Sequence, residues 1–355
     1  MFLTYRYRIK DSRARAHLLR MAASCNQVWN YCGDISNDSV RLNRKSPGFK
    51  ELSRLTSGCS VELGIHSNTV STIVKAWCVS RYRWHKRPRW RKSLGHNRSL
   101  GWVPFSKSEP IQVRGDTIRY LGRSFKVWLS RPIPSNIRSG SFSEDASGNW
   151  YINLVCEVAE VKASKIGEVG VDLGLSQLAV LSSGEKFNNP RHLRNSAGRL
   201  AKAQKAGRKA LARRIRRKVA AQRRHYLHAI SSRLVRENSL IAVGDVKSAS
   251  LAKTTMAKSV MDAGWYAFRS MLRYKAIKHG ATYIEVNERW TTQTCSDCGS
   301  RDGSPKGVKG LRVRTWECVG CGSVHDRDVN AAINILRLGR SVALQQTENG
   351  ESRGH

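Results

Sequence analysis

The sequence predicts a multidomain α/β protein: a small β-barrel interrupted by a helical insertion, then an α/β core with a zinc ribbon set into it. Three observations carry this expectation. Short alternating strands fall in residues 1–13 and 96–162, on either side of a stretch, 14–95, whose apolar residues have helical spacing. From 163 to 290 the pattern changes to buried apolar strands separated by long helices, as in an α/β sheet. Two CxxC pairs then lie within 291–324, before a last helix at 325–340 and a polar tail, 341–355, expected to be mobile.

Phe2–Ile9 (FLTYRYRI) alternates and is rich in β-formers, so it reads as a strand that would complete the later barrel. From Ser12 the period is helical, with apolar residues at Leu18, Leu19, Ala22, Val28 and Trp29. Gly33, Pro47-Gly48, Gly58 and Gly64 are expected to cut it into several helices. The segment Arg81–Lys92 interleaves cations with aromatics. Arg81, Arg83, Lys86, Arg87, Arg89 and Arg91 would hold phosphates while Trp84 and Trp90 stack on bases; a solvated basic helix end with core tryptophans is the plainer alternative. Between Trp102 and Val158, short strands and the turns at Gly115, Gly122 and Gly148 suggest a small barrel.

Val169-Gly170-Val171-Asp172-Leu173-Gly174 is a buried strand with one carboxylate near its end, and Gln177–Ser182 is a second strand. In the long basic helix that follows, Leu211, Ile215, Val219, Leu227, Ile230 and Leu234 form one core-facing stripe. On its other faces Arg208, Lys209, Arg213, Arg214, Arg216, Arg217, Arg223 and Arg224 are candidates to line a nucleic-acid channel, with a solvated face as the alternative. Leu240–Val243 and Thr282–Val286 are further strands, Val260–Lys278 is helical, and Asp328–Leu336 is a helix with an acid at its start.

The composition limits what such a chain binds. Lys and Arg number 63 against 26 Asp and Glu, a formal net charge of +37. Arg199–Arg236 holds 14 of these cations and no acid, yet the remainder is still strongly basic, so several surfaces must face phosphate. An enzyme for a small acidic metabolite would not need that excess. No apolar run approaches the ~20 residues of a membrane span, and Met1–Lys10 lacks a signal-peptide core. The expectation is a cytoplasmic, nucleoid-associated prokaryotic protein with no membrane partner, and a monomer. At 40% hydrophobic residues, wholesale disorder is excluded.

Cys25, Cys32, Cys59, Cys78 and Cys156 have no metal-ligand spacing and read as buried thiols. Cys295-Ser-Asp-Cys298 and Cys318-Val-Gly-Cys321 are two knuckles separated by 19 residues, each turning back at a glycine, Gly299 or Gly322. Four thiolates at this spacing suit a structural Zn²⁺. Phosphodiester hydrolysis by two Mg²⁺ needs carboxylates converging from separate elements. Asp172 at a strand end and Asp328 at a helix start have this character, and together they suggest a ribonuclease H-like core.

These residues also carry a family resemblance. Gly170-Val171-Asp172-Leu173-Gly174, the basic helix, the run Trp290-Thr291-Thr292-Gln293-Thr294-Cys295 and His325-Asp326-Arg327-Asp328-Val329-Asn330-Ala331-Ala332 resemble TnpB. TnpB is the RNA-guided nuclease of insertion sequences, related to type V CRISPR effectors and Fanzor proteins. Cys25-Asn26-Gln27-Val28-Trp29-Asn30 and the β block resemble its recognition helices and wedge barrel, so the likeness runs over about residues 1–340. It implies a RuvC nuclease core and a wedge β-barrel with an inserted helical recognition domain. It also implies a guide RNA and double-stranded target DNA as partners, two catalytic Mg²⁺, and cleavage of guide-complementary DNA beside a short motif.

One position departs from the family. Where TnpB has a catalytic Glu after its second core strand, this chain has Gly244, and strand alternation would turn the next residue, Asp245, to the opposite face. Glu288, just past the following strand, resembles the relocated glutamate of Fanzor proteins, and strand parity separates it from Glu285. The implied ligand set is Asp172, Glu288 and Asp328, with Asp328 chosen over Asp326 because it directly precedes the Val-Asn-Ala-Ala helix. The alternatives are a nuclease-inactive RNA-guided repressor and a zinc-ribbon nucleic-acid-binding protein without catalysis. A transposase is a third, discounted because these elements assign DNA transposition to a separate protein.

Overall fold

In the computed structural model of the protein, the residues described are 2–10, 12–84, 88–109, 111–159, 166–246, 257–305, 310 and 313–351. The chain divides into two compact units, Met1–Ala159 and Glu160–His355. No helix among the described residues is long and apolar enough to cross a membrane.

The first unit joins a sheet to four helices. Strands β1 (Phe2–Ile9), β2 (Trp102–Ser106), β3 (Ile111–Arg114), β4 (Thr117–Tyr120), β5 (Arg123–Trp128), β6 (Ile137–Glu144) and β7 (Trp150–Glu157) form a seven-stranded sheet in the order β2-β6-β7-β1-β5-β4-β3. The N-terminal strand lies inside it, antiparallel to both β7 and β5. Among the described residues no ladder joins β2 to β3, so the expected barrel is not closed. Pro104 accounts for one edge: it has no N–H to give a further strand. The helical insertion caps that edge, with the Thr69 hydroxyl donating to the Pro104 carbonyl at 3.0 Å.

The helices are α1 (Ser12–Arg41), α2 (Phe49–Leu55), α3 (Ser60–Leu63) and α4 (Ser67–Trp84). Gly33 does not break α1 as expected. It faces Trp77 of α4, and packing between the two helices outweighs a mid-helix glycine's cost of about 1 kcal/mol. Leu18, Ile73 and Trp77 share one core with Tyr7, Phe105, Tyr120 and Phe142 of the sheet.

The second unit holds a five-stranded sheet ordered β10-β9-β8-β11-β12, made of β8 (Gly167–Leu173), β9 (Gln177–Leu181), β10 (Lys186–Asn188), β11 (Asn238–Gly244) and β12 (Thr282–Val286). β8, β11 and β12 run parallel, and β9 and β10 continue antiparallel. The basic run forms two helices, α5 (His192–Lys205) and α6 (Lys209–Glu237), that part at Gly207. The expected helix over Val260–Lys278 is likewise two, α7 (Ala257–Ala263) and α8 (Trp265–His279), separated by Gly264. After the short hairpin β13 (Thr315–Glu317) and β14 (Val324–Asp326) comes α9 (Arg327–Glu351). The tail expected from residue 341 is therefore helical up to Glu351, because Val342 and Ala343 still pack against the core beneath it. Residues 352–355 lie outside the described residues.

Three layers result. Leu227, Ile230 and Leu234 of α6 and Phe268 and Leu272 of α8 cover Val169, Val171, Ile241 and Val243 on one face of the sheet. Ile335 and Leu336 of α9 cover Leu240, Ala242, Ile284 and Val286 on the other.

Candidate catalytic and metal centres

The layer arrangement decides which acids can meet. Val169, Val171 and Leu173 face α6 and α8, so Gly170 and Asp172 point to the α9 side. The same parity puts Gly244 with Ala242 on the α9 side of β11. Glu288, past the end of β12, follows Ile284 and Val286 to that side. Glu285 faces the other way, where Arg269 (3.3 Å) and Arg273 (2.5 Å) of α8 pair with it. Asp328 stands in the first turn of α9.

Asp328 and Glu288 are brought close enough to Asp172 to disturb its carboxyl. Burial, then the Asp328 and Glu288 charges, push the Asp172 carboxyl up to about 7, while Arg327 opposes the shift. Glu288 is raised too, by burial first and then by Asp245, with Arg269 working against it. Arg314 lies 3.1 Å from Asp328. Divalent cations suit this site: several acids converge in a strongly basic chain, and Arg314 pairs with one of them.

The position of the missing glutamate is not empty space. A Cβ built on Gly244 would stand 2.9 Å from Glu288 Oε2 and 3.3 Å from Glu288 Cβ. The Glu288 side chain thus fills the volume that a side chain at 244 would enter. Asp245 lies beyond the end of β11, and its carboxylate accepts the Glu288 backbone N–H at 3.3 Å. Asp326 has a different job from Asp328. It accepts the N–H groups of Asp328 (3.1 Å) and Val329 (3.0 Å), capping α9, and it pairs with Lys186 at 2.5 Å.

Helix α9 also grips the segment after Glu288. The Asn330 and Asn334 amides donate to the carbonyls of Thr291 (3.2 and 3.0 Å) and Thr294 (2.8 and 2.7 Å), and Asn330 accepts the Ser296 N–H at 2.8 Å. The second metal centre starts there. Cys295 and Cys321 sulfurs are 3.7 Å apart and Cys298 and Cys318 sulfurs 3.6 Å, with all four within 4.8 Å of one another. A tetrahedron of Zn–S bonds near 2.3 Å has edges of about 3.8 Å, so the four cysteines fit Zn²⁺. His325 Nε2 lies 3.0 Å from Cys295 Sγ with its ring against Trp316, a contact to a zinc-ligand sulfur that spacing alone did not indicate.

The candidate nucleic-acid residues divide. Arg208, Lys209, Arg213, Arg214, Arg216, Arg217 and Arg224 are exposed, but Arg223 is paired with buried Asp262 at 2.8 Å. In the first unit Arg83, Arg89 and Trp90 are exposed and Arg81 lies over Trp77. Arg91 is committed inside: its guanidinium sits over Trp29 and Trp102 and donates to Asn26 at 2.7 Å. Trp84 ends α4, and Lys86 and Arg87 lie outside the described residues. Sequence reasoning missed the open face of the first sheet, where Arg6 lies over Tyr151 and Lys10 over Trp128. The alternation of Arg6 and Arg8 in β1, continued by Lys10 just past its end, was the available signal.

Comparison with known proteins places this architecture. Residues 153–255 match a family model described as "Probable transposase", and residues 265–335 match one described as "Cas12f1-like, TNB domain". A Streptomyces pristinaespiralis protein named "Putative RNA-guided DNA endonuclease" is 36% identical over 289 residues, covering 74% of this chain and 67% of that protein. The "TnpB-like protein L79" of Acanthamoeba polyphaga mimivirus is 32% identical over 123 residues, covering 32% of this chain and 22% of its own. The solved mini-RNA-guided endonuclease CRISPR-Cas phi3 superposes with a TM-score of 0.50 at 9% identity, covering 96% of this chain and 92% of that one, a likeness of fold.

Proposed function

This chain belongs to the TnpB family of insertion-sequence proteins, and from that premise we propose that it is an RNA-guided DNA endonuclease. It would cleave guide-complementary double-stranded DNA next to a short motif. The second unit is read as a ribonuclease H-like (RuvC) core. Support comes from its sheet order, with Asp172 near the carboxyl end of the central strand, where open α/β sheets place their sites.

Asp172, Glu288 and Asp328 are assigned as ligands of two Mg²⁺, and the four cysteines as ligands of a structural Zn²⁺. When bound, the Mg²⁺ pair would supply an activated water and stabilise the leaving oxygen. Asp172 must lose the proton that burial and its neighbours favour, and Glu288 must keep its carboxylate in the space above Gly244. Arg314 pairs with Asp328 and would have to give it up for Asp328 to hold a cation. The exposed cations of α6 and of the first unit would hold guide RNA and DNA by their phosphates.

The observation that carries this reading is the fit of Glu288 into the space above Gly244, which supports a relocated rather than a lost glutamate. The test is cleavage of guide-matched duplex DNA with Mg²⁺. The native protein should cut, while Asp172→Ala and Glu288→Ala should bind equally well and cut roughly a hundredfold more slowly or worse. Full cutting by Glu288→Ala would remove Glu288 from the site. A native protein that binds guided targets and never cuts would be a guided repressor instead.

A further inference from the structure

We propose that Trp290, flanked by Arg289 and Arg301, is a stacking platform that grips a nucleobase and its phosphate in the single strand delivered to the carboxylates. The proposal rests on the endonuclease reading for the strand's destination, but the platform itself stands on three observations.

The first is strain. Trp290 has φ +70, a left-handed backbone that bulky residues avoid, and strained backbone persists only where its surroundings impose it. Here the surroundings do impose it. The Glu288 carbonyl accepts the Thr291 N–H (3.2 Å) and hydroxyl (2.8 Å), and the Trp290 carbonyl accepts the N–H groups of Gln293 and Thr294, both at 2.9 Å. With the Asn330 and Asn334 grip, the turn is held from both sides.

The second is exposure. All this rigidity leaves the indole 42% exposed, while the next residue, Thr291, is buried. A tryptophan needed only for packing would be expected to turn inward. The third is charge. The Arg289 and Arg301 guanidiniums lie 4.8 and 5.2 Å from the indole centroid, and neither forms an ion pair among the described residues. Two cations gathered over one ring repel each other, and a phosphate would relieve both. An exposed ring with two anion-seeking cations against it, two residues from Glu288, has the chemistry of a single-stranded nucleic-acid contact.

The probe is a short single-stranded DNA carrying 2-aminopurine, whose emission falls when it stacks. It is mixed with the full chain and its co-purified RNA in EDTA. The native protein should quench the probe. Trp290→Ala should lose most of that quenching and bind about tenfold more weakly, and Trp290→Phe should restore both. Arg289→Gln/Arg301→Gln should weaken binding and flatten its salt dependence. With Mg²⁺ and guide-matched duplex, Trp290→Ala should slow single-turnover cutting about tenfold while duplex affinity holds. Unchanged quenching and cutting in Trp290→Ala would overturn the proposal. If that variant loses its zinc, the arginine pair decides instead: native binding there would overturn it equally. A native protein that quenches the probe but cuts no DNA would remove the endonuclease reading and leave the platform standing.

Discussion

Gly244 and Glu288 illustrate how one residue's missing side chain can be another's requirement. The proposed metal site calls for a carboxylate near the carboxyl end of β11, and two routes lead to that point: a glutamate on the strand itself, or one reaching in from beyond β12. The two routes crowd each other, because a Cβ at 244 would stand 2.9 Å from Glu288 Oε2 and 3.3 Å from Glu288 Cβ, so the Glu288 side chain would have to shift. Gly244→Glu alone should therefore lower cleavage roughly tenfold or more, through steric conflict and a further buried like charge. Gly244→Glu combined with Glu288→Ala should cut faster than either single variant, a non-additivity that a double-mutant cycle on cleavage rates would read. Additive losses would mean that the two positions do not share one space.

At the scale of elements, α9 organises the second unit. Asp326 caps it, Asp328 projects from its first turn, and Asn330 and Asn334, about one turn apart, reach out to hold the strand-to-knuckle segment. The helix can do this only by lying directly on the sheet. A Cβ on Gly170 would meet the Ala332 carbonyl at 2.0 Å, and one on Gly339 would meet the Ala242 Cβ at 2.4 Å. Gly170→Ala should accordingly destabilise the protein by about 1–3 kcal/mol, seen as a lower thermal midpoint. It should also depress cleavage, because lifting α9 moves Asp328 away from Asp172. A variant with native stability and native cutting would show that the helix has room to spare.

For the molecule as a whole, charge and metal complement each other. With net charge +37, phosphate is the natural counter-charge for the exposed arginines, and the few acids are mostly spent on ion pairs, caps and the carboxylate cluster. Zinc at the four cysteines would tie the hairpin β13–β14 to the segment that follows Glu288, and through His325 to the start of α9. Stripping it with a thiol-reactive mercurial and a chelator should release about one zinc per chain, lower the thermal midpoint and abolish cleavage together. Zinc should restore all three. Loss of zinc with cleavage intact would separate the ribbon from the catalytic centre.

Much of this was readable along the chain. The strands at Phe2–Ile9, Gly167–Leu173 and Thr282–Val286, both knuckles with their turning glycines, and the acids at positions 172 and 328 announce themselves through alternation, spacing and flanking residues, all local properties. The resemblance to TnpB rests on equally local strings. Other features depend on residues far apart in sequence, so no local pattern encodes them. Gly33 stays helical because α4 packs beside it, the first sheet stays open because helices cap the Pro104 edge, and the last helix outlasts its polar appearance because Val342 and Ala343 still reach the core. Arg91 and Arg223 read as free cations until Trp29, Trp102 and Asp262 are seen around them. The decisive case is Glu288: parity could say which face it takes, but only the folded sheet brings it over Gly244, because that contact crosses from one strand to its neighbour.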